Sequence, residues 1–500
     1  MLLALDLAAL NVILPSIERD LDVDLRSAQW AVNAYLLVYG MTIVTGGRLA
    51  DELGRRRVFF AGAGLFLTMS LASGLAPGIG WLIAARAFMG IGSGLMLPSI
   101  VGMAYAVVPA RLSAMAGGFI IGAYGVGMAF GPLLGGGITE IFGWRWTQFI
   151  NVPVALLAAV GVWLSIPRDS PGTRPRIDYP GILTLSAALV SLLVAIDQIS
   201  VWGWGDWRIH LGLVSAAALL ALFVSIERRA GETALIPGDM VRIHTVAVVC
   251  LLKVLFAPAY SATLLFLPQI MQKTLGLSPF AAGSGMLPML GLYAVVSFLV
   301  AAAGHRLIAQ FGIIAGLAGV TAGMVLLFTS QPDAGLLPLV PGMAMIGIGL
   351  GLFQPSTTTA AVEADGRGRK SLASGLTFMF QYVGGAVGVG LTTTVVASTE
   401  RSAVDTALRG ASASLIAEER AALDTMLADA ESARAVLAQF GPELGNALLA
   451  VAADAFSAGV RAGWRLDAAL AAVGLVFALV AFGRRGFGPR KGGQVGTGDR

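Results

Sequence analysis

Cysteine is almost absent from this chain and histidine is scarce: there is one cysteine, Cys250, and there are three histidines in 500 residues. One thiol cannot build a disulfide framework or a thiolate metal site. His210, His244 and His305 fall at the ends of different apolar runs, so an imidazole-based metal site is not expected either. Charge is equally thin. Asp, Glu, Lys and Arg together make up 12% of the residues, about half the share of an ordinary soluble domain. No G-x-x-x-x-G-K-[ST] run is present, so no phosphate loop for ATP is expected. The chain opens directly on MLLALDLAALNVILP, without a basic start or a small-residue cleavage site, so no cleavable signal is expected. The formal charge of +4 comes mostly from arginines scattered over short segments, which argues against a nucleic-acid surface.

What is present is apolar. Hydrophobic residues make up 56% of the chain, and the mean hydropathy is +0.80. Apolar stretches of roughly 18 to 25 residues recur along its length, enough to span about 30 Å of hydrocarbon as helix. Only helices and closed barrels satisfy their backbone polar groups in lipid, and unbroken apolar runs favour helices. The expected fold class is therefore an all-α membrane protein with about 14 transmembrane helices. They are placed at 2–17, 30–49, 58–75, 81–107, 114–138, 146–166, 180–199, 209–226, 245–267, 280–303, 313–329, 336–360, 372–397 and 463–482.

Threading these runs alternately across a bilayer gathers roughly 20 basic residues in short segments on one side, against roughly five in the opposite short loops, so the basic side is expected to be cytoplasmic. GRLADELGRRR, ERRAGETALIPGDMVRIH and EADGRGRK belong to that side, and both termini fall there. Residues 399–461 form a polar, Ala-rich segment, expected to be helical and outside. The first helix is short and lacks a preceding basic residue, so the natural start is expected upstream.

Several stretches carry more than hydropathy. Gly47, Asp51, Gly54, Arg55 and Arg56 join the second and third helices, where glycine permits a tight turn and the charges meet headgroups or one another. Arg86 stands within the fourth apolar run, where a charge costs at least about 2.5 kcal/mol and must find a partner or snorkel to the interface. The fifth run holds Gly127, Gly131, Pro132, Gly135 and Gly136, a set suited to close helix contact and a bend. Leu5-Asp6 with Asn11 and Pro15 marks the first run, and Trp144-Arg-Trp with Phe149, Asn151 and Pro153 precedes the sixth.

These motifs resemble the major facilitator superfamily, specifically its fourteen-helix drug:proton antiporters of the EmrB and QacA type. Gly47 to Arg56 matches G-x-L-x-D-x-x-G-R-[KR], and Gly127 to Gly136 matches the antiporter motif G-x-x-x-G-P-x-x-G-G. Met89 replaces the usual Gln of the fourth-helix motif, and Ala309 stands where the second-half copy of the loop motif has an acid. The resemblance implies two six-helix bundles (1–167 and 243–483) around two extra central helices (177–227), with a cytoplasmic tail at 484–500. It implies a gate latch at Asp51, Arg55 and Arg56, and an outward direction of transport.

The function implied is proton-coupled efflux of amphipathic drugs, antibiotics or secondary metabolites. The alternatives are a transporter of an endogenous metabolite or a non-transporting sensor or scaffold; an enzyme is not expected. Proton coupling needs a carboxylate that alternates between its two forms, and Asp6 with Arg86 is the first choice, Asp197 the second. The partners are a small molecule, protons and the bilayer, the driving force is the proton-motive force with no cofactor, and a monomer is expected. Tyr35, Tyr39, Tyr124, Tyr260 and Gln381 are candidates for a substrate cavity. Lys253, about 12 Å into its helix, could snorkel, pair with a buried acid or sense an anionic substrate; a structural or snorkelling role is favoured.

Overall fold

The structure is a computed structural model. It describes residues 1–107, 113–167, 178–231, 234–236, 238–303, 306–330, 335–364, 370–411 and 442–483, and within these the side chains of Asp51, Glu52 and Asp197 are among those outside the description. His305, residues 412–441 of the long segment and the tail 484–500 also lie outside the described residues.

Every regular element among the described residues is a helix. The first group comprises α1 (Leu2–Leu21), α2 (Leu25–Leu53), α3 (Arg55–Gly74), α4 (Ile79–Val107), α5 (Ser113–Phe142), the short α6 (Arg145–Phe149) and α7 (Asn151–Ser165). Then come α8 (Tyr179–Trp202), α9 (Trp207–Ala230) and the single turn α10 (Gly238–Val241). The last group is α11 (His244–Gln269), α12 (Pro279–Gly285), α13 (Leu287–Ala303), α14 (Arg306–Thr329), α15 (Val340–Ala364), α16 (Lys370–Ala411) and α17 (Pro442–Gly483).

Local chemistry sets the breaks. Gly54 has φ 105°, a conformation that disfavours any side chain, and it ends α2 and starts α3 with no intervening loop. Asp178, Asp206 and Ser278 cap α8, α9 and α12 by accepting from backbone N–H groups of the first turn. At the end of α11 the chain widens into a π turn, Ile270–Thr274. That turn aims Gln272 and Lys273 at α1, where they meet the Val12 carbonyl at 2.7 Å and the Glu18 carboxylate at 2.7 Å.

Among the described residues eleven helices are long and apolar enough to cross a membrane, or twelve if the bent pair α12–α13 forms one span. The expected fourteen is not reached on that measure. Helices α1 and α2 fall outside it because of their polar content (Asp6, Glu18 and Arg19 on one, Gln29 and Asn33 on the other), yet both are packed in the bundle. The chain is a multi-pass membrane protein. Helices α7 and α9 turn Leu156, Leu157 and Leu164, and Leu211, Val214 and Leu222, to the outside, a surface suited to lipid.

Helices α1–α7 pack chiefly with one another, as do α11–α17, and α8 pairs with α9 while leaning on α2 and α16. Two seams join the groups: α5 runs against α12 and α13, and α2 runs against α16. The expected outer segment 399–461 is helical at both of its described ends. Helix α16 continues to Ala411 and α17 begins at Pro442, and Phe456, Ser457 and Val460 are buried, so part of 399–461 belongs to the packed bundle. The Ala-rich composition that reads as polar over the whole segment conceals an apolar face on α17.

Candidate functional site

Asp6 and Arg86, eighty residues apart, meet inside the first group of helices. Arg86 Nη1 donates to Asp6 Oδ2 at 2.7 Å, and both side chains are wholly buried. Asn151, the first residue of α7, donates to the other carboxylate oxygen at 2.7 Å and is also within 3.3 Å of Ser70 Oγ. Two helices besides α1, α4 and α7, thus meet on one carboxylate, and α3 joins them through Ser70. Snorkelling is ruled out for Arg86, because no part of its side chain reaches the surface. The sequence substitution at Met89 has a local consequence: its sulfur accepts weakly from Ser73 Oγ at 3.4 Å and from Arg86 Nη1 at 3.8 Å. A glutamine there would offer a stronger acceptor.

From this ion pair a train of rings crosses the molecule. The Arg86 guanidinium sits 4.3 Å from the Tyr35 ring centroid, and Tyr35 is 5.6 Å from Tyr39. Tyr39 stacks at 4.4 Å on Tyr382 of α16, which is in the other helical group. Tyr124 of α5 shares a hydroxyl–hydroxyl bond of 3.0 Å with Tyr382. The close approach of α4 that places Arg86 over Tyr35 depends on Gly90, where a Cβ would stand 2.7 Å from the Tyr35 carbonyl oxygen.

The train ends at Lys253 of α11, which is completely buried and so does not snorkel. A four-carbon stem 13 or more Å from the helix end finds no polar surface within reach, at about 1.5 Å of rise per residue. Its Nζ donates to Gln354 of α15 and, at 2.9 Å, to Gln381 of α16. Phe353 and Phe378 flank it with ring centroids at 5.5 and 5.6 Å. Between the two groups lies a narrow cleft lined by Leu7, Asn11, Val32, Tyr260, Gln381 and Tyr382 among others. Of the five residues expected to line a cavity, Tyr260 and Gln381 line the cleft; Tyr39 and Tyr124 contact Tyr382 at its edge, and Tyr35 lies behind Tyr39.

The glycines of α5 are contact surfaces. A Cβ on Gly131 would stand 2.6 Å from the Leu5 carbonyl, and one on Gly135 2.7 Å from Ala9 Cβ, so these residues seat α1. Gly127 meets Met1 and Ala4 of the same strip. Gly136 faces the opposite way, onto Pro279 and Phe280 of α12, and Pro132 presents its carbonyl to Gly283. One helix thus touches both the helix carrying Asp6 and the far group.

In the loop motif, Arg55 Nη1 donates to the Gly102 carbonyl of α4 at 2.8 Å. Arg56 donates to the carbonyls of Ile166 at 2.6 Å and Trp163 at 3.1 Å, closing the end of α7. Gly47 is buried within α2. The Asp51 side chain lies outside the described residues, as does that of Asp197.

A sequence profile described as the Major Facilitator Superfamily matches residues 1–389. The chain belongs to the major facilitator superfamily. Its relatives include the puromycin resistance protein of Streptomyces alboniger, 36% identical over 410 residues that cover 79% of this chain and 79% of that one. The tetracenomycin C resistance and export protein of Streptomyces glaucescens is 32% identical over 408 residues, 80% of this chain and 74% of the other. Among solved structures, a bacterial homolog of the human lysosomal transporter Spinster, inward-facing, aligns over 96% of each chain with a TM-score of 0.58 at 16% identity. That likeness concerns the fold alone.

Membership makes this facilitator a transporter and not an enzyme. Sequence reading missed three side chains that complete the site: Ser70, Gln354 and Tyr382. Asn151 was visible within its motif but without a role. A lone polar residue in an apolar run is the signal each of them carries, and that signal does not say which partner it meets.

Proposed function

We propose that this facilitator exports amphipathic drugs, antibiotics or secondary metabolites across the cell membrane in exchange for protons, with both termini cytoplasmic. What carries the substrate side is the similarity, over about four-fifths of the chain, to proteins named for antibiotic resistance and export. The Gly131-Pro132 motif of α5 supports the outward direction through the family resemblance.

Asp6 is the proton carrier in this reading. Its carboxylate is held by Arg86 and Asn151, and protonation replaces an ion pair by a neutral acid, freeing the guanidinium to tighten on Tyr35. Tyr39 and Tyr382 pass that change to the second helical group, and α5 slides against α1 and α12 as the halves rock. The driving force suffices. One proton contributes roughly 2.3 kcal/mol per 100 mV and about 1.4 kcal/mol per pH unit, which supports concentration ratios from about tenfold to several hundredfold.

The experiment is dye efflux in everted membrane vesicles, with and without a protonophore. Efflux that a protonophore leaves untouched would sink the coupling. So would Asp6→Asn transporting at the wild-type rate with the same protonophore sensitivity.

A further inference from the structure

Among the described residues two cationic side chains are fully buried, Arg86 and Lys253, and of these only Arg86 is seen bonded to a carboxylate. Arg86 has Asp6 at 2.7 Å. Lys253 has two glutamine side chains and two phenyl rings. Among the described residues no carboxylate bonds to it: the buried Asp467 of α17 bonds to Thr392 at 2.8 Å, and the titratable group that acts on Lys253 is the Cys250 thiol of the same helix. An ammonium has three N–H donors, and the two amide oxygens take two of them. A buried cation without a counter-charge is costly, and the cost is relieved by loss of its proton or by an anion that restores the charged form.

The surroundings indicate which anion. Gln381 both accepts from Lys253 and lines the gap between the helical groups, so a ligand in the gap reaches the ammonium by displacing one amide. Among the described residues no acidic side chain lines the gap, and Asp6 is already held by Arg86 and Asn151. A cationic drug would find no opposite charge there. Tyr260 and Tyr382 line the gap, and Phe378, which flanks the lysine, stacks behind Tyr382 at 6.2 Å. Such a series suits a planar aromatic body.

We propose that Lys253 is the anion-recognition residue of the substrate site, and that the preferred substrates are planar, apolar compounds bearing one acidic group, a carboxylate or an acidic phenol or enol. Gln354 and Gln381 hold the ammonium in place when the site is empty. This rests on the export reading for its biological sense, but its test does not need transport.

The test is equilibrium binding to the purified full-length protein in detergent, without a pH gradient. The probes are a panel of planar aromatic carboxylates with two to four fused rings, each paired with its methyl ester. The wild type is expected to bind at least one acid ten or more times tighter than its ester. Lys253→Gln and Lys253→Met are expected to abolish that preference while keeping ester affinity within about threefold, since ring stacking is retained. Lys253→Arg is expected to keep most of it. Circular dichroism and thermal melting select the variants that fold, and the arginine variant serves if the neutral ones do not. Equal affinity for acid and ester in the wild type overturns the proposal, as does binding of neither. A preference that survives in Lys253→Gln, or a loss of acid and ester alike in a folded Lys253→Met, also overturns it. Acid preference together with protonophore-insensitive efflux would leave this inference standing and remove the coupling reading.

Discussion

Tyr124 and Tyr382 sit 258 positions apart in sequence, on opposite helical groups, and their hydroxyls share a hydrogen bond of 3.0 Å. Tyr382 also stacks on Tyr39 across the other seam. One residue of α16 thereby contacts both seams, so a change in either is felt at the lysine level. Tyr382→Phe keeps the stack and loses the bond, worth about 1 kcal/mol. Efflux is expected to slow by about three- to tenfold, whereas Tyr382→Ala should lose it almost entirely. Initial rates in vesicles at equal protein level distinguish the two.

The buried Asp6–Arg86 pair predicts a particular pattern of stability. Removing one charge leaves the other unpaired, which costs about 3–5 kcal/mol. Arg86→Gln alone should therefore melt well below the wild type, and Arg86→Gln combined with Asp6→Asn should recover part of the loss. Melting in detergent measures this. A double variant less stable than Arg86→Gln would mean that the carboxylate is held by groups other than Arg86.

Glycine content in α5 and α7 makes opposite predictions at two positions. A methyl at Gly131 enters the Leu5 backbone, whereas one at Gly161 meets nothing within 4 Å. Gly131→Ala should destabilise by about 1–3 kcal/mol and impair transport. Gly161→Ala should be neutral or stabilise by roughly 0.5–1 kcal/mol through helix propensity. Paired melts and efflux rates test this directly.

At Gly54 the backbone itself resists substitution, because its φ of 105° leaves α2 and α3 joined by a single residue. Gly54→Ala is expected to cost about 1–3 kcal/mol and to disturb Arg55 and Arg56, which are anchored on the α4 and α7 carbonyls. Slower efflux with unchanged substrate binding would place the effect in the conformational step.

Export of an acid against inward proton movement carries more charge than export of its ester. For each 100 mV, interior negative, the acid gains a further ~2.3 kcal/mol, or about 50-fold in limiting accumulation. An imposed potassium diffusion potential in proteoliposomes should therefore widen the acid-to-ester ratio, and an unchanged ratio would contradict export of the ionised form.

Hydropathy alone made this a multi-pass helical protein, because apolar runs of membrane length have no other stable arrangement in lipid. Motif spacing pointed to the superfamily, since a short loop and a helix face are local features that sequence displays directly. It also singled out Asp6, Arg86 and the α5 glycines as worth attention. The helix limits were less legible: α17 starts well before its most hydrophobic stretch, because burial of Phe456 and Val460 against neighbouring helices is a tertiary matter. The same holds for Lys253. Its helix position was plain, but whether it reached water, an acid or neither depended on α15 and α16, a hundred residues away. Tertiary packing gave it two amides and two rings and, among the described residues, no bonded carboxylate.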